Sequence, residues 1–419
     1  MIVRSGRPSV WRRWFWEWPA DRRKTIYLCA AMAAICGTAL GAYVQKALTA
    51  YHAQTPGHPA AYGDFFALWS YAEIARTHPV RQLYDSAAVH QYQVALGMPA
   101  DVQNPFPYPP IFILMVRALG VLPYDLSYLA WMAVTFALFV WAVAGTCSRL
   151  PASVLAAAVA PVVSANIAAG QSGFLSGALM VAGIRLAPVR PVLGGVLLGC
   201  LSYKPQLGLL LPVALLAGRL WAATLAAAVT ALGLMEAATL VYGQTIWWDW
   251  LAMLPAYSDL FDRTIVGQKY MATITAAVRV AGFSSGAAAA AQAVCGGLAA
   301  LLVGLCFRDG ETKLASAALL VGTFLATPHA FVYDMPMLAA AIALYIDARL
   351  ETDSGFNLIE VLVLGALMLF PGLMMVGSLD ARASIPPLVG MFGLILWRAQ
   401  GRQRGSLLGG SLLRVRDGA

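Results

Sequence analysis

Three observations predict an all-α polytopic membrane protein. Of the 419 residues, 60% are hydrophobic and only 11% are charged, and the mean hydropathy is +0.70. Apolar runs of helical length recur along the chain between polar breaks. Because charged side chains are costly at the bilayer centre, a chain this poor in them can fill many spans and little aqueous domain. The composition therefore excludes a soluble catalytic domain.

The positive charge of the chain is concentrated at its two ends. The formal net charge is +8, and the basic segments 1–25 and 398–419 hold more Lys and Arg residues than that excess. Clusters of Lys and Arg beside spans are retained on the cytoplasmic side. We therefore expect both termini in the cytoplasm, an even number of spans, and no nucleic-acid partner.

The membrane-embedded domain is expected over 26–397, with about twelve transmembrane helices in a bacterial-type cytoplasmic membrane. The first run, 26–48, is too long for the apolar part of a signal peptide, so we interpret it as an uncleaved span. Two polar loops, 49–110 and 243–270, fall on the outer face when crossings are counted from a cytoplasmic N-terminus. The other apolar runs are 111–122, 125–147, 151–168, 172–187, 191–217, 219–242, 286–307, 314–327, 331–346, 357–377 and 386–397.

The first outer loop contains two amphipathic patterns and a proline-rich end. Asp64 opens a segment in which Phe65, Leu68 and Ala72 recur at helical spacing, and 89–96 gives a weaker second pattern. These patterns predict two short helices in the membrane interface. The loop closes with 104–112, where several prolines lead into the next apolar run.

Ionisable residues inside or beside apolar runs are the candidates for function. Lys204 lies near the middle of a run, where a cation needs a phosphate, a counter-ion such as Glu236, or a wet cavity. His329 and Asp334 lie at the margin of another run, and His329 is either a phosphate ligand or an interfacial histidine with a backbone partner. In the second loop, Arg263 and Lys269 are either phosphate ligands or solvated charges.

The sequence gives no sign of a metal or of another cofactor. Four of the five histidines lie in the first loop, but no pair has the short spacing that preorganises metal ligands. No Gly-rich phosphate loop follows a strand pattern, so a nucleotide site is not expected.

Several short motifs are spaced along about 64–334 of the chain. They are Asp64 before an aromatic segment, Leu83-Tyr84-Asp85, Phe106-Pro107-Tyr108-Pro109-Pro110, Leu122-Pro123, Trp131, Gly170-Gln171, Lys204-Pro205-Gln206, Thr327-Pro328-His329 and Tyr333-Asp334. Together these motifs resemble glycosyltransferase family 87, a family of polyprenyl-phosphate-dependent hexosyltransferases that includes the mycobacterial phosphatidylinositol-mannoside mannosyltransferases. In this family an Asn usually precedes Gly-Gln directly, whereas here Asn166 stands four residues before Gly170.

The resemblance implies the C-type glycosyltransferase fold, with the active site at the outer face under the first loop. It implies inverting transfer of a hexose, with mannose favoured, from a polyprenyl-phosphate donor to a lipid or glycan acceptor. Within the matching motifs, Asp64 is the expected general base, and Asp85, Gln171, Lys204, His329 and Asp334 are the expected contacts to the substrates. Arg263 and Lys269 lie outside these motifs and join the candidates only as second-loop cations that can reach a phosphate.

Simpler interpretations remain open for the two aspartates. Asp64 and Asp85 each precede a helical pattern, where a carboxylate can cap the free amides of the first turn. Inverting transfer, in contrast, needs one carboxylate to remove the proton of the acceptor hydroxyl. The alternative function is a multi-span transporter or lipid flippase, although no matching broken halves are visible.

Overall fold

The computed structural model describes residues 64–147, 163, 165–263, 265–308, 313–351, 356–375 and 377–414, without the side chains of 261–266 and 400–414. This part of the chain is helical and contains no strand. Within these residues, one isolated antiparallel bridge joins Met271 and Phe331. The predicted first span, 26–48, and the run 151–168 fall wholly or mostly outside the described residues.

The first loop folds into the two predicted helices, α1 (Phe65–Thr77) and α2 (Ser86–Ala95), which confirms their helical patterns. Proline opens α3 (Pro110–Val116), where its missing N–H costs no hydrogen bond. Next come α4 (Tyr124–Ala144), α5 (Gly173–Leu186), α6 (Pro191–Gly199), α7 (Leu211–Ala217) and α8 (Trp221–Tyr242).

The second half of the described chain contains eight further helices. They are α9 (Thr245–Arg263), α10 (Ile265–Gln268), α11 (Ile274–Val280), α12 (Ser285–Arg308), α13 (Lys313–Ala326), α14 (Pro336–Glu351), α15 (Leu358–Met375) and α16 (Ala381–Arg414).

Two segments that contribute to the site differ in structure from the sequence prediction. The run 191–217 is not one helix but α6 and α7, joined by short 3₁₀ turns on either side of Lys204. Pro205 cannot donate a helical hydrogen bond and disfavours helical backbone at Lys204, which adopts φ −129° and ψ 70°. The loop 243–270 is mostly helical, because α9 occupies Thr245–Arg263.

Four described helices, α4, α8, α12 and α15, are long and apolar enough to cross a membrane. The expected number of about twelve is therefore not reached by this criterion within the described residues. On α8 only Ala223 and Ala238 are buried, and large side chains such as Leu225 and Leu240 are exposed. Apolar side chains left outside the packed core are typical of a membrane protein.

The core of the embedded domain is built around α13 and α14. Every residue of α14 from Pro336 to Leu350 is buried, as is every residue of α13 from Leu314 to Leu325. The connection between these helices, 327–335, carries His329 and Asp334. It contacts the second loop, since the N–H of Val332 donates to the carbonyl of Tyr270.

The two predicted outer loops meet at the same end of the molecule. The guanidinium of Arg81 donates two hydrogen bonds to the carboxylate of Asp249 on α9, at 2.7 and 3.0 Å. The indole N–H of Trp250 donates to the carbonyl of Pro107 at 3.1 Å. The loops must therefore lie on the same side of the membrane, whichever side that is.

This arrangement predicts the labelling of single cysteines placed at the exposed residues Ser86 and Ser258 in a cysteine-free variant. An impermeant thiol reagent added to intact spheroplasts is expected to modify both, because both loops are expected outside. Modification of both only after lysis would reverse the predicted orientation. Modification of one alone would contradict the packing of α9 on the first loop.

Candidate active site

Asp64 precedes α1 but does not cap it. The residue occupies the N-cap position with helical backbone (φ −68°, ψ −10°), and its side chain accepts no bond from the first turn. Its carboxylate instead receives a hydrogen bond from the side chain of Gln171. The capping interpretation of Asp64 is therefore wrong, and its carboxylate is free for another role.

Gln171 is held so that its amide N–H groups are left for Asp64. Its carbonyl oxygen accepts a hydrogen bond from the hydroxyl of Tyr108 at 3.2 Å and one from the backbone N–H of Ser172 at 3.3 Å. With the oxygen occupied on that side, the amide nitrogen is the atom that can donate to the carboxylate.

The chain can place Gln171 there because of two neighbouring glycines. Gly170 has φ +69°, and a Cβ at this residue would lie 2.4 Å from the Cβ of Phe65. A Cβ at Gly173 would lie 1.9 Å from the carbonyl oxygen of Tyr333. Asn166 also supports this turn, since its side-chain oxygen accepts the N–H of Gly173 at 3.2 Å. The displaced asparagine of the Gly-Gln motif therefore has a structural contact.

Lys204 and Asp334 form a buried ion pair. The Nζ atom of Lys204 lies 2.8 Å from Oδ1 of Asp334, and the two side chains are 3% and 4% exposed. The second carboxylate oxygen of Asp334 accepts the backbone N–H of Phe331 at 3.1 Å. Glu236, considered as a partner for Lys204, is exposed on α8 instead. Of the two interpretations of Lys204, the ion pair is present, and the residue also lines a cavity.

His329 lies beside this pair and close to α9. Its Nε2 atom is 3.4 Å from the hydroxyl of Tyr257. Burial lowers the pKa of His329 to about 4. The negative charge of Asp334 opposes this shift, and the positive charge of Lys204 adds to it. The imidazole is therefore neutral near pH 7, which favours the hydrogen-bonding role of His329 over the cationic one.

Burial has the opposite effect on the carboxyl group of Asp64. It raises the pKa of Asp64 to about 6, although the hydrogen bond from Gln171 and the charge of Lys204 both act to lower it. A carboxylate with a pKa close to neutrality is a stronger base than an exposed aspartate and is still ionised at pH 7.

Two adjoining cavities bring these groups together. The lysine cavity, of about 560 Å³, is lined by Lys204, His329 and Asp334. The aspartate cavity, of about 440 Å³, is lined by Asp64 and Gln171. Both volumes fall in the range of small-molecule sites, roughly 300–1,000 Å³. The two cavities share a wall formed by Pro107, Tyr108, Tyr257 and Tyr333.

The three other residues predicted to bind substrate are Asp85, Arg263 and Lys269, and the structure does not place any of them in the two cavities. Asp85 caps α2, accepting the N–H groups of Ala87 and Ala88 at 3.0 and 3.1 Å, and it lines neither cavity. Lys269 is exposed and also lines neither cavity. The side chain of Arg263 lies outside the described part of the chain. The structure thus assembles Asp64, Gln171, Lys204, His329 and Asp334, and not Asp85 or Lys269.

Sequence reasoning did not identify several side chains in the cavity walls. Tyr71 on α1 lines the aspartate cavity, and Gln268, only 5% exposed, lines the lysine cavity. Tyr257 lines both cavities. The sequence signal for Tyr257 was its place among the Trp and Tyr residues of the second loop. Such residues are also common at the membrane interface, so this signal does not identify a cavity wall. Among the described residues, no three His, Cys, Asp or Glu side chains converge as metal ligands would.

A scan against protein-family models matches residues 106–328 to the model of glycosyltransferase family 87. The match covers more than half of the chain and includes Gln171 and Lys204, whereas Asp64, His329 and Asp334 lie outside it. Neither a search of curated proteins nor a search of solved structures found a match. The apolar helices and the family match together identify the general class of the protein, a membrane-embedded glycosyltransferase. More specifically, the chain belongs to glycosyltransferase family 87.

Proposed function

We propose that the protein transfers a hexose, with mannose as the favoured sugar, from a polyprenyl-phosphate donor to a lipid or glycan acceptor. The reaction takes place at the outer face of the cytoplasmic membrane and inverts the anomeric configuration. The observation that carries the proposal is the half-buried carboxylate of Asp64, which the shared wall alone separates from a cavity that contains a buried lysine. Family membership supports glycosyl transfer over the transporter alternative, because it implies a glycosyltransferase.

The lysine cavity suits the phosphate of the donor. Asp334 occupies one of the three N–H donors of the Lys204 ammonium, so the others can reach a phosphate oxygen. Neutral His329 supplies a further hydrogen bond. A lipid-linked sugar arrives through the membrane and needs no nucleotide-binding domain, which agrees with the composition of the chain.

The aspartate cavity suits the acceptor. Asp64 takes the proton of the acceptor hydroxyl as that oxygen forms a bond to the anomeric carbon of the donor sugar. The bond between the anomeric carbon and the phosphate oxygen breaks, and the electron pair leaves with the polyprenyl phosphate toward Lys204. Placing base and leaving group in separate cavities allows attack from the face opposite the phosphate, and this leads to inversion.

The donor assignment predicts that purified protein in detergent transfers sugar from polyprenyl-phosphate hexose and does not use nucleotide sugars. A lipid extract of a strain that lacks the protein serves as acceptor, and radiolabelled product is separated by thin-layer chromatography. Chelator is expected to leave the activity intact. Turnover with a nucleotide sugar in the absence of lipid-linked intermediates would exclude this donor class.

The role of Asp64 predicts that Asp64→Asn lowers transfer by about 100-fold or more, since a neutral amide cannot accept a proton. Expression and thermal stability are expected to stay near wild type, because the side chain caps nothing. The matched control is Asp85→Asn, a substitution at a true N-cap, where Asn serves about as well as Asp and the effect should be much smaller. Near-normal transfer by Asp64→Asn would remove the residue from catalysis.

The raised pKa of Asp64 also predicts a pH profile. Because the base must be ionised, log kcat/KM is expected to rise with unit slope as pH increases to about 6 and to level off above it. The donor is a phosphodiester that does not titrate in this range, and the pKa of about 4 assigned to His329 separates that group from the inflection. A profile that is flat between pH 5 and 8 would contradict general-base catalysis by Asp64.

A further inference from the structure

A third cavity opens from the aspartate cavity. This side cavity, of about 310 Å³, lies between α2 and α9 and is lined by Ser86, His90 and Asp259. It shares Gln103, Asn104, Pro105, Tyr257 and Leu260 with the aspartate cavity, so the two have a continuous wall. A ligand that reaches Asp64 therefore has room to extend into a second compartment.

The side cavity is lined by groups that exchange hydrogen bonds. They include the hydroxyl of Ser86, the imidazole of His90, and the side-chain amides of Gln103 and Asn104. The Nδ1 atom of His90 is buried and has no hydrogen-bond partner among the described residues. Buried polar atoms in native proteins are nearly always paired, so this nitrogen indicates a missing polar partner. A hydroxyl can donate to it or accept from it in either tautomer.

The charge of the walls indicates which polar ligand fits. Asp64 and Asp101 line the aspartate cavity, and no described Lys or Arg side chain lines either the aspartate cavity or the side cavity. The lysine cavity, in contrast, contains Lys204. A phosphate group is therefore attracted to the lysine cavity and repelled by the other two, whereas neutral hydroxyls suit them.

We propose that the side cavity is a second acceptor subsite, which binds the next sugar ring of a neutral glycan whose first ring presents its hydroxyl to Asp64. The acceptor then has at least two hydroxyl-bearing rings, and neither carries a phosphate. This inference rests on the proposed function and narrows it to a glycan-headed acceptor.

The test compares paired octyl mono- and disaccharides of mannose, glucose and galactose as acceptors, with polyprenyl-phosphate hexose as donor. For the sugar that serves, the wild-type kcat/KM is expected to be about tenfold higher with the disaccharide, the gain that one or two net hydrogen bonds provide. His90→Ala removes a polar contact, and Ser86→Leu fills the cavity. Each should reduce the ratio of disaccharide to monosaccharide kcat/KM to about twofold or less.

Two exposed neighbours on α2 provide matched controls. Gln91→Ala and Ala87→Leu change the same helix outside the side cavity, and they should keep the wild-type ratio. A wild-type ratio near one, an equal loss of both substrates in the variants, or a preference for phosphorylated disaccharides would overturn the subsite. So would transfer to the lipid extract without transfer to any octyl glycoside. Absence of transfer even to the lipid extract would instead overturn the proposed function.

Discussion

The buried ion pair of Lys204 and Asp334 is the interaction on which the arrangement of the site depends. A buried charge without a partner is strongly destabilising, so the two residues must be brought together from 130 positions apart in the chain. Their contact fixes the break between α6 and α7 against the connection that precedes α14. The backbone N–H of Phe331 completes the coordination of Asp334. The ion pair therefore holds together the two segments that line the lysine cavity, and its lysine supplies the positive charge of that cavity.

Asp64 is positioned near the ion pair by close packing at small residues, and not by an ion pair of its own. Gly170 and Gly173 allow α5 to begin in contact with Phe65 and Tyr333, and the intervening Gln171 then links Asp64 to Tyr108. A larger residue at Gly173 would meet the backbone of Tyr333 in the shared wall, and one at Gly170 would meet Phe65, the neighbour of Asp64. The position of the base relative to the ion pair therefore depends on the close packing at these two glycines.

Features that depend on neighbouring residues, such as the starts of helices, could be predicted from the sequence. The start of α1 after Asp64 and the start of α2 after Asp85 follow from neighbouring residues alone. The break at Pro205 was missed, because the apolar run continues on both sides of it. What could not be predicted depends on residues far apart in the chain. No spacing rule pairs Lys204 with Asp334, and a polar, aromatic stretch such as 243–270 does not reveal that it forms α9 and packs on the first loop. The role of Asp85 was ambiguous for a related reason, because capping and catalysis use the same carboxylate.

The central helices are short, and this allows a polar site to form inside a domain built mainly of apolar residues. At 1.5 Å per residue, the 14 residues of α13 extend about 21 Å, less than a hydrocarbon core of about 30 Å. Irregular backbone beyond such a helix is tolerated at membrane depth only where protein satisfies its polar groups or a cavity admits water. Here the N–H of Ala272 donates to the carbonyl of Ala330, and the N–H of Val332 donates to that of Tyr270. These two bonds hold the segment that carries His329 and Asp334 without extending α13. Pro328 and His329, which follow the end of that helix, then line the lysine cavity.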